Sequence, residues 1–146
     1  MLIEFRVGNF RSIREEQTLS LVAAKDKALL ETHVVAAPNK VVPPTLRSAV
    51  IYGPNAGGKS NWVKALAFVR GAVAESAGLQ PGQLFNAQTF RLDATMAEQP
   101  SVFEITFSME GVRYQYGFTL QPDRVVEEWL LVYKAAKAQQ WFTRKW

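Results

Sequence analysis

Ala49-Val50-Ile51-Tyr52 runs directly into Gly53-Pro54-Asn55-Ala56-Gly57-Gly58-Lys59-Ser60. The second half has the spacing G-x-x-x-x-G-K-S, that of a phosphate-binding loop. Glycines at 53, 57 and 58 let the backbone turn tightly and approach a ligand. Successive backbone N–H groups then point inward as an anion nest. Lys59 brings a mobile ammonium to the β- and γ-phosphates, and is the residue expected to act in catalysis as well as in binding. Ser60 offers a hydroxyl to Mg²⁺, a cation that prefers oxygen and keeps waters and phosphate oxygens around it. A chance match over this length is on the order of 1%, taking Gly at roughly 7%.

The flanks agree with the loop. Ser48 to Tyr52 is a short apolar, β-branched run, the pattern of a buried strand. Beyond Ser60 the period changes. Trp62, Leu66, Val69 and Val73 recur at spacings of four, three and four, one face of a helix over about 59–75. That helix aims the positive end of its dipole at the loop. The expected ligand contacts are therefore Gly53, Pro54, Asn55, Ala56, Gly57, Gly58, Lys59, Ser60 and the following Asn61.

The chain has 146 residues, 48% apolar and 21% charged, the make-up of a globular fold with a core of ordinary size. No apolar run reaches the roughly 18 residues of a membrane span. Met1-Leu2-Ile3-Glu4-Phe5-Arg6 does not read as a secretory signal. There are no cysteines, which excludes disulfides and thiolate metal sites and fits a cytoplasmic protein. The net charge of +4 is compatible with nucleic acid but does not by itself argue for it.

In chain order, Ile3, Phe5 and Val7 alternate with Glu4 and Arg6 as a half-buried strand. Gly8-Asn9 is a turn signal, and Thr18 to Val22 reads as the returning strand. From composition alone, Asn9 and Arg11 are ordinary surface turn residues. Ala24 to Glu31 has room for one or two helical turns. His33, the single histidine, has no acidic or cysteine neighbours and reads as structural. Pro38, Pro43 and Pro44 interrupt regular structure before residue 48. Residues 77–100 form a connection punctuated by Gly78, Pro81, Gly82 and Pro100, with Phe90-Arg91-Leu92 as a short extended piece. From Ser101 the period becomes two. Phe103, Ile105 and Phe107 share a face, and Met109-Glu110-Gly111 is a tight turn. Val112 to Leu120 alternates in the same way. Gln121-Pro122-Asp123 turns again, followed by strands over 124–134 and 139–145. The Tyr and Phe ladder of this meander reads as sheet core rather than as a stacking platform for bases.

A complete triphosphatase also needs an apolar strand ending in a carboxylate near Mg²⁺ and the attacking water. Four apolar residues followed by an acid do not occur after the loop. The nearest run, Val125-Val126-Glu127-Glu128, sits inside the meander. No Leu-Ser-Gly-Gly-like signature occurs either. The expectation is nucleotide binding with little turnover.

Phe5-Arg6-Val7-Gly8-Asn9-Phe10-Arg11-Ser12-Ile13 resembles the "strand, Asn-Phe-Arg-Ser" start of SMC, RecF and OLD-type ATPases. Their phosphate loop is usually Gly-x-Asn-x-x-Gly-Lys-Ser, which Gly53 to Ser60 fits. Glu98-Gln99-Pro100-Ser101-Val102-Phe103-Glu104-Ile105, Tyr114-Gln115-Tyr116-Gly117-Phe118 and Glu127-Glu128-Trp129-Leu130 are similar to one subgroup, the bacterial AAA-type ATP-binding proteins associated with abortive phage infection. The resemblance covers nearly the whole chain and corresponds to the amino-terminal part of such proteins. It implies an α/β P-loop NTPase of ABC-head type: a mixed sheet with an antiparallel β-meander lobe. In that reading residues 1–146 are one partial head, divided into 1–76, 77–100 and 101–146. It further implies ATP and Mg²⁺ as ligands and Arg11 close to the phosphates, with Asn9 in the adjoining loop. The expected partners are a second head or the remaining half of the head, with DNA or a defence protein beyond. The glutamine that such heads place near Mg²⁺ cannot be assigned, Gln88 and Gln99 being equal candidates.

Two other readings compete with an ATPase head working in DNA repair or phage defence. One is a non-hydrolysing, nucleotide-dependent interaction module. The other is a small-molecule kinase or GTPase. The long meander and the lack of an Asn-Lys-x-Asp run argue against the last.

Overall fold

A computed structural model describes residues 1–25, 29–75, 78, 85 and 87–146. The alternation in Leu2–Gly8 (β1) turns Ile3, Phe5 and Val7 inward, all three buried. Gln17–Ser20 (β2) returns antiparallel, with Glu4 opposite Ser20 and Val7 opposite Gln17. The chain then leaves the sheet for one helical turn, Leu30–His33 (α1), and a small antiparallel pair, Val34–Val35 (β3) with Thr45–Leu46 (β4). Helix Lys59–Glu75 (α2) follows the glycine loop. A 3-10 turn at Ala94–Ala97 leads into Ser101–Met109 (β5), Val112–Gln121 (β6), Arg124–Tyr133 (β7) and Gln139–Lys145 (β8).

Six strands form one sheet in the order β2-β1-β5-β6-β7-β8. Every neighbour in it is antiparallel. Strand β1 therefore joins the meander, with Phe5 opposite Ile105 and Val7 opposite Phe103. The hairpin β5–β6 closes on Glu110 and Gly111, both left-handed at φ 52° and 76°, the geometry of a primed two-residue turn. The next hairpin turns on Pro122 and Asp123, and its ladder shifts register between Thr119 and Leu120.

Helix α2 lies on the apolar face of this sheet. Ala65 and Val69 are buried against Phe5, Val7, Phe103, Phe118 and Leu120. Aromatic rings tie the two layers together. Trp62 meets Phe5 edge-on at 6.1 Å, and Phe68 lies 5.7 Å from Phe10 and 5.0 Å from Phe103. Each such pair contributes about 1 kcal/mol beyond its buried area. The opposite face is polar. There Trp129 Nε1 donates to Glu104 (2.9 Å), which also takes Arg6 (3.1 Å), and Arg6 reaches Glu16 (3.3 Å). The indole of Trp129 crosses directly over Gly117, where a Cβ would collide with the ring.

Three expectations need correction. Residues 48–52 form no regular element and belong to no ladder, and Val50 and Tyr52 are 83% and 90% exposed. The run is not seated beside β1, whose two edges are taken by β2 and β5. The mixed sheet is accordingly replaced by a wholly antiparallel one. Residues 90–92 likewise join no strand among the described residues. Of the helix expected over 24–31, the turn that forms is Leu30–His33, and residues 26–28 lie outside the described residues. Pro81 and Gly82 of the connection also lie outside them. Among the described residues no helix is long and apolar enough to cross a membrane.

Candidate functional site

The loop Gly53 to Gly58 is built from unusual backbone angles. Ala56 sits at φ 62° in a turn where Gly57 N donates to Pro54 O (3.2 Å), a left-handed position that costs a residue with a Cβ. Gly58 sits at φ 83°, and a Cβ there would come within 2.7 Å of Ser12 Oγ. Glycine is needed at 58 on both counts.

Helix α2 starts immediately after, and Asn61 N closes back on Gly58 O at 2.8 Å. Its first turn carries no acidic residue. An aspartate or glutamate there would satisfy the free amides and the dipole; without one, both are open to water or a ligand. A hollow of about 180 Å³ opens over residues 56–61, lined by the loop and the first helical turn alone. Lys59 Nζ donates to Gly53 O (2.8 Å) and Pro54 O (2.7 Å), so the ammonium is folded onto the loop's own carbonyls. Ser60 is exposed at the hollow's edge.

A second wall comes from the β1–β2 loop. Phe10 and Ile13 exchange backbone hydrogen bonds at 2.8 and 2.9 Å, leaving Arg11 and Ser12 as the turn. Arg11 is held at φ 55°, an uncommon conformation for a residue with a side chain. Its N–H donates to Gln88 O (2.7 Å), and its guanidinium lies 5.7 Å from the Phe10 ring. Its Nε is buried without a hydrogen-bond partner among the described residues. Asn9 is no surface turn residue. At 3% exposure it donates to Met96 O (2.8 Å) and Gln99 O (2.7 Å) and accepts from Phe90 N (3.0 Å). One buried amide thus staples the β1–β2 loop to residues 90–99.

Sequence reasoning missed Ser12. Its hydroxyl accepts from Asn61 Nδ2 at 2.6 Å and touches Gly58, so it joins the β1–β2 loop to the phosphate loop. Ser12 stands inside the Asn-Phe-Arg-Ser run, but nothing in linear spacing connects it to residue 58. Arg14 was also unremarked. It binds Asp93 at 2.6 Å, and Asp93 accepts from Thr95 as well. The Thr95 hydroxyl first, then Arg14 and the Thr95 amide, hold the Asp93 carboxyl down at about 2.

The two glutamine candidates separate. Gln88 lines a hollow together with Arg11, Ser12 and Asn61, whereas Gln99 engages Asn9 through its carbonyl. His33 shares a hydrogen bond with its neighbour Thr32. Glu127 and Glu128, the nearest acids to the missing motif, are already engaged. Glu127 pairs with Lys145 (3.0 Å), and Glu128 takes Arg144 (2.6 Å) and the Tyr116 hydroxyl (2.6 Å). Burial first, and then that carboxylate, push the Tyr116 pKa up. Among the described residues no trio of His, Cys, Asp or Glu gathers to hold a metal. The hydroxyl of Ser60 is nonetheless the kind of donor that Mg²⁺ accepts when phosphate oxygens and water supply the rest of its shell.

The site is thus a strained glycine loop, a helix amino terminus, a lysine parked on carbonyls, and a stapled wall carrying Arg11, whose Nε is buried. Residues 48–146, well over half of the chain, match the family described as "AAA domain, putative AbiEii toxin, Type IV TA system". No curated protein matches the chain. On that match the chain belongs to this family of AAA-type ATPase domains of the abortive-infection kind.

Proposed function

We propose that the chain binds ATP with Mg²⁺ through Gly53–Asn61 and hydrolyses it slowly at most, as the nucleotide-binding part of an anti-phage or DNA-repair ATPase. The observation that carries this is the hollow over residues 56–61, walled by loop and helix start with no acid in the first turn. Backbone amides would hold the phosphates, and Ser60 Oγ would take one position on Mg²⁺. That cation, when bound, would neutralise charge on the terminal phosphates. Lys59 must leave the carbonyls of Gly53 and Pro54 to reach the β- and γ-oxygens, exchanging two neutral acceptors for anionic ones. Arg11 adds a second cation on the adjoining wall. Slow turnover follows from the sequence, where no carboxylate stands at the end of an apolar strand to orient water. Head-to-head pairing and a cytoplasmic setting complete the reading.

The experiment is a titration of the chain with ATP and with GTP in Mg²⁺, alongside phosphate release. Saturable ATP binding, weakened about tenfold or more by Lys59→Ala and accompanied by little release, is the expected result. Turnover like that of an intact ATPase would refute the slow-hydrolysis part. Binding indifferent to Lys59→Ala would refute the site.

A further inference from the structure

Trp62, Ala65 and Phe68 seat the first half of α2 on the sheet. Val73 continues that stripe one turn after the buried Val69, yet it is 55% exposed. It faces a hollow of about 710 Å³ between the helix and the sheet. Leu66 and Val69 also line the hollow from α2, and Ile105, Phe107 and Leu130 line it from β5 and β7. It shares no residue with the hollow over residues 56–61 or with the one beside Arg11. Its size falls in the range of about 300–1,000 Å³ that small-molecule sites occupy.

The polar groups here are of two kinds. On the sheet wall the Tyr116 hydroxyl donates to Glu128 (2.6 Å), and Glu128 also takes Arg144 (2.6 Å), so these groups already answer one another. On the helix wall Arg70, beside Val69, is exposed and enters no ion pair among the described residues. The result is a two-walled apolar slot with a cation at its rim. An extended peptide would bring N–H and C=O groups that such walls cannot satisfy. An unbranched alkyl chain needs only burial, and a carboxylate at its end matches the guanidinium fork.

We propose that this hollow binds a monocarboxylate of the fatty-acid class, its alkyl tail between α2 and the sheet and its carboxylate on Arg70. The proposal does not depend on nucleotide binding. The test is calorimetric titration of the chain, without nucleotide, with hexanoate, octanoate and decanoate below their micellar concentrations, and with 1-octanol. Two variants accompany it. Val73→Trp fills the mouth from an exposed position, and Arg70→Gln removes the charge alone. Saturable binding should tighten about threefold per added methylene. Val73→Trp should weaken every ligand about tenfold or more. Arg70→Gln should weaken the three acids about fivefold and leave 1-octanol within about twofold. The proposal is overturned if no acid binds saturably, if tail length has no effect, or if Arg70→Gln binds the acids unchanged or loses acid and alcohol together. It is overturned as well if a folded Val73→Trp binds the acids as the unmodified chain does. Where a lowered melting temperature shows that Val73→Trp is not folded, the acid-against-alcohol contrast in Arg70→Gln decides alone. Sedimentation of the same samples tests the rival occupant: a dimer that Val73→Trp dissociates would make the hollow the seat of a second copy and overturn the proposal.

Discussion

Gly58 carries two demands at once, a positive φ and the close approach of Ser12 Oγ. Gly58→Ala should cost about 2 kcal/mol, read as a lowered urea midpoint. Adding Ser12→Gly should recover the part due to contact and leave the part due to backbone. Full recovery would show that the backbone angle is not strained. A second prediction concerns pH. The folded Asp93 carboxyl is depressed below the ordinary 3.8, to about 2. A depressed acid stabilises the fold above its unfolded pKa and loses that contribution as pH falls through the folded one. The stability gap between the wild type and Asp93→Asn should therefore be constant above about pH 4 and close between pH 4 and 2. A gap that persists at pH 2 contradicts the pairing with Thr95 and Arg14. At this scale the phosphate loop was legible because its chemistry is local: eight consecutive residues make it. Asn9, Ser12 and Asp93 were not, because each acts on a partner far along the chain.

Among the elements, α2 matters most, because it carries Lys59 and Ser60 at one end and the aromatic seam along its length. Phe68 touches both Phe10 and Phe103. Phe68→Ala should cost about 3 kcal/mol and lower the melting temperature by about 10 °C. A drop of a degree or less would mean that the helix is not held to the sheet by this seam. The bounds of α2, β5 to β8 and their turns could be read from periodicity, since a change from 3.6 to 2 survives in any context. Residues 48–52 show the opposite case. Their β-branched run signals strand propensity, but a ladder needs a free edge, and β1 has none. Propensity could not supply the neighbour that a strand needs.

For the whole molecule, the sheet joins both ends of the sequence, and the loop and α2 emerge from between β2 and β5. Such pairing across the chain is invisible to local patterns: the antiparallel meander was legible, but its joining to β1 through β5 in one sheet was not. Because Val50 is 83% exposed, Val50→Lys should change the stability of this chain by no more than about 0.5 kcal/mol. A large loss would show that the run is buried in solution. The central claim is that main-chain amides at the start of α2 hold a triphosphate. Amide hydrogen exchange at Gly57 to Ser60, measured with and without ATP and Mg²⁺, reads those groups one by one. Slowed exchange at these amides on adding ATP, abolished in Lys59→Ala, is the predicted result. Unchanged exchange there while ATP is demonstrably bound would place the nucleotide elsewhere and contradict the account.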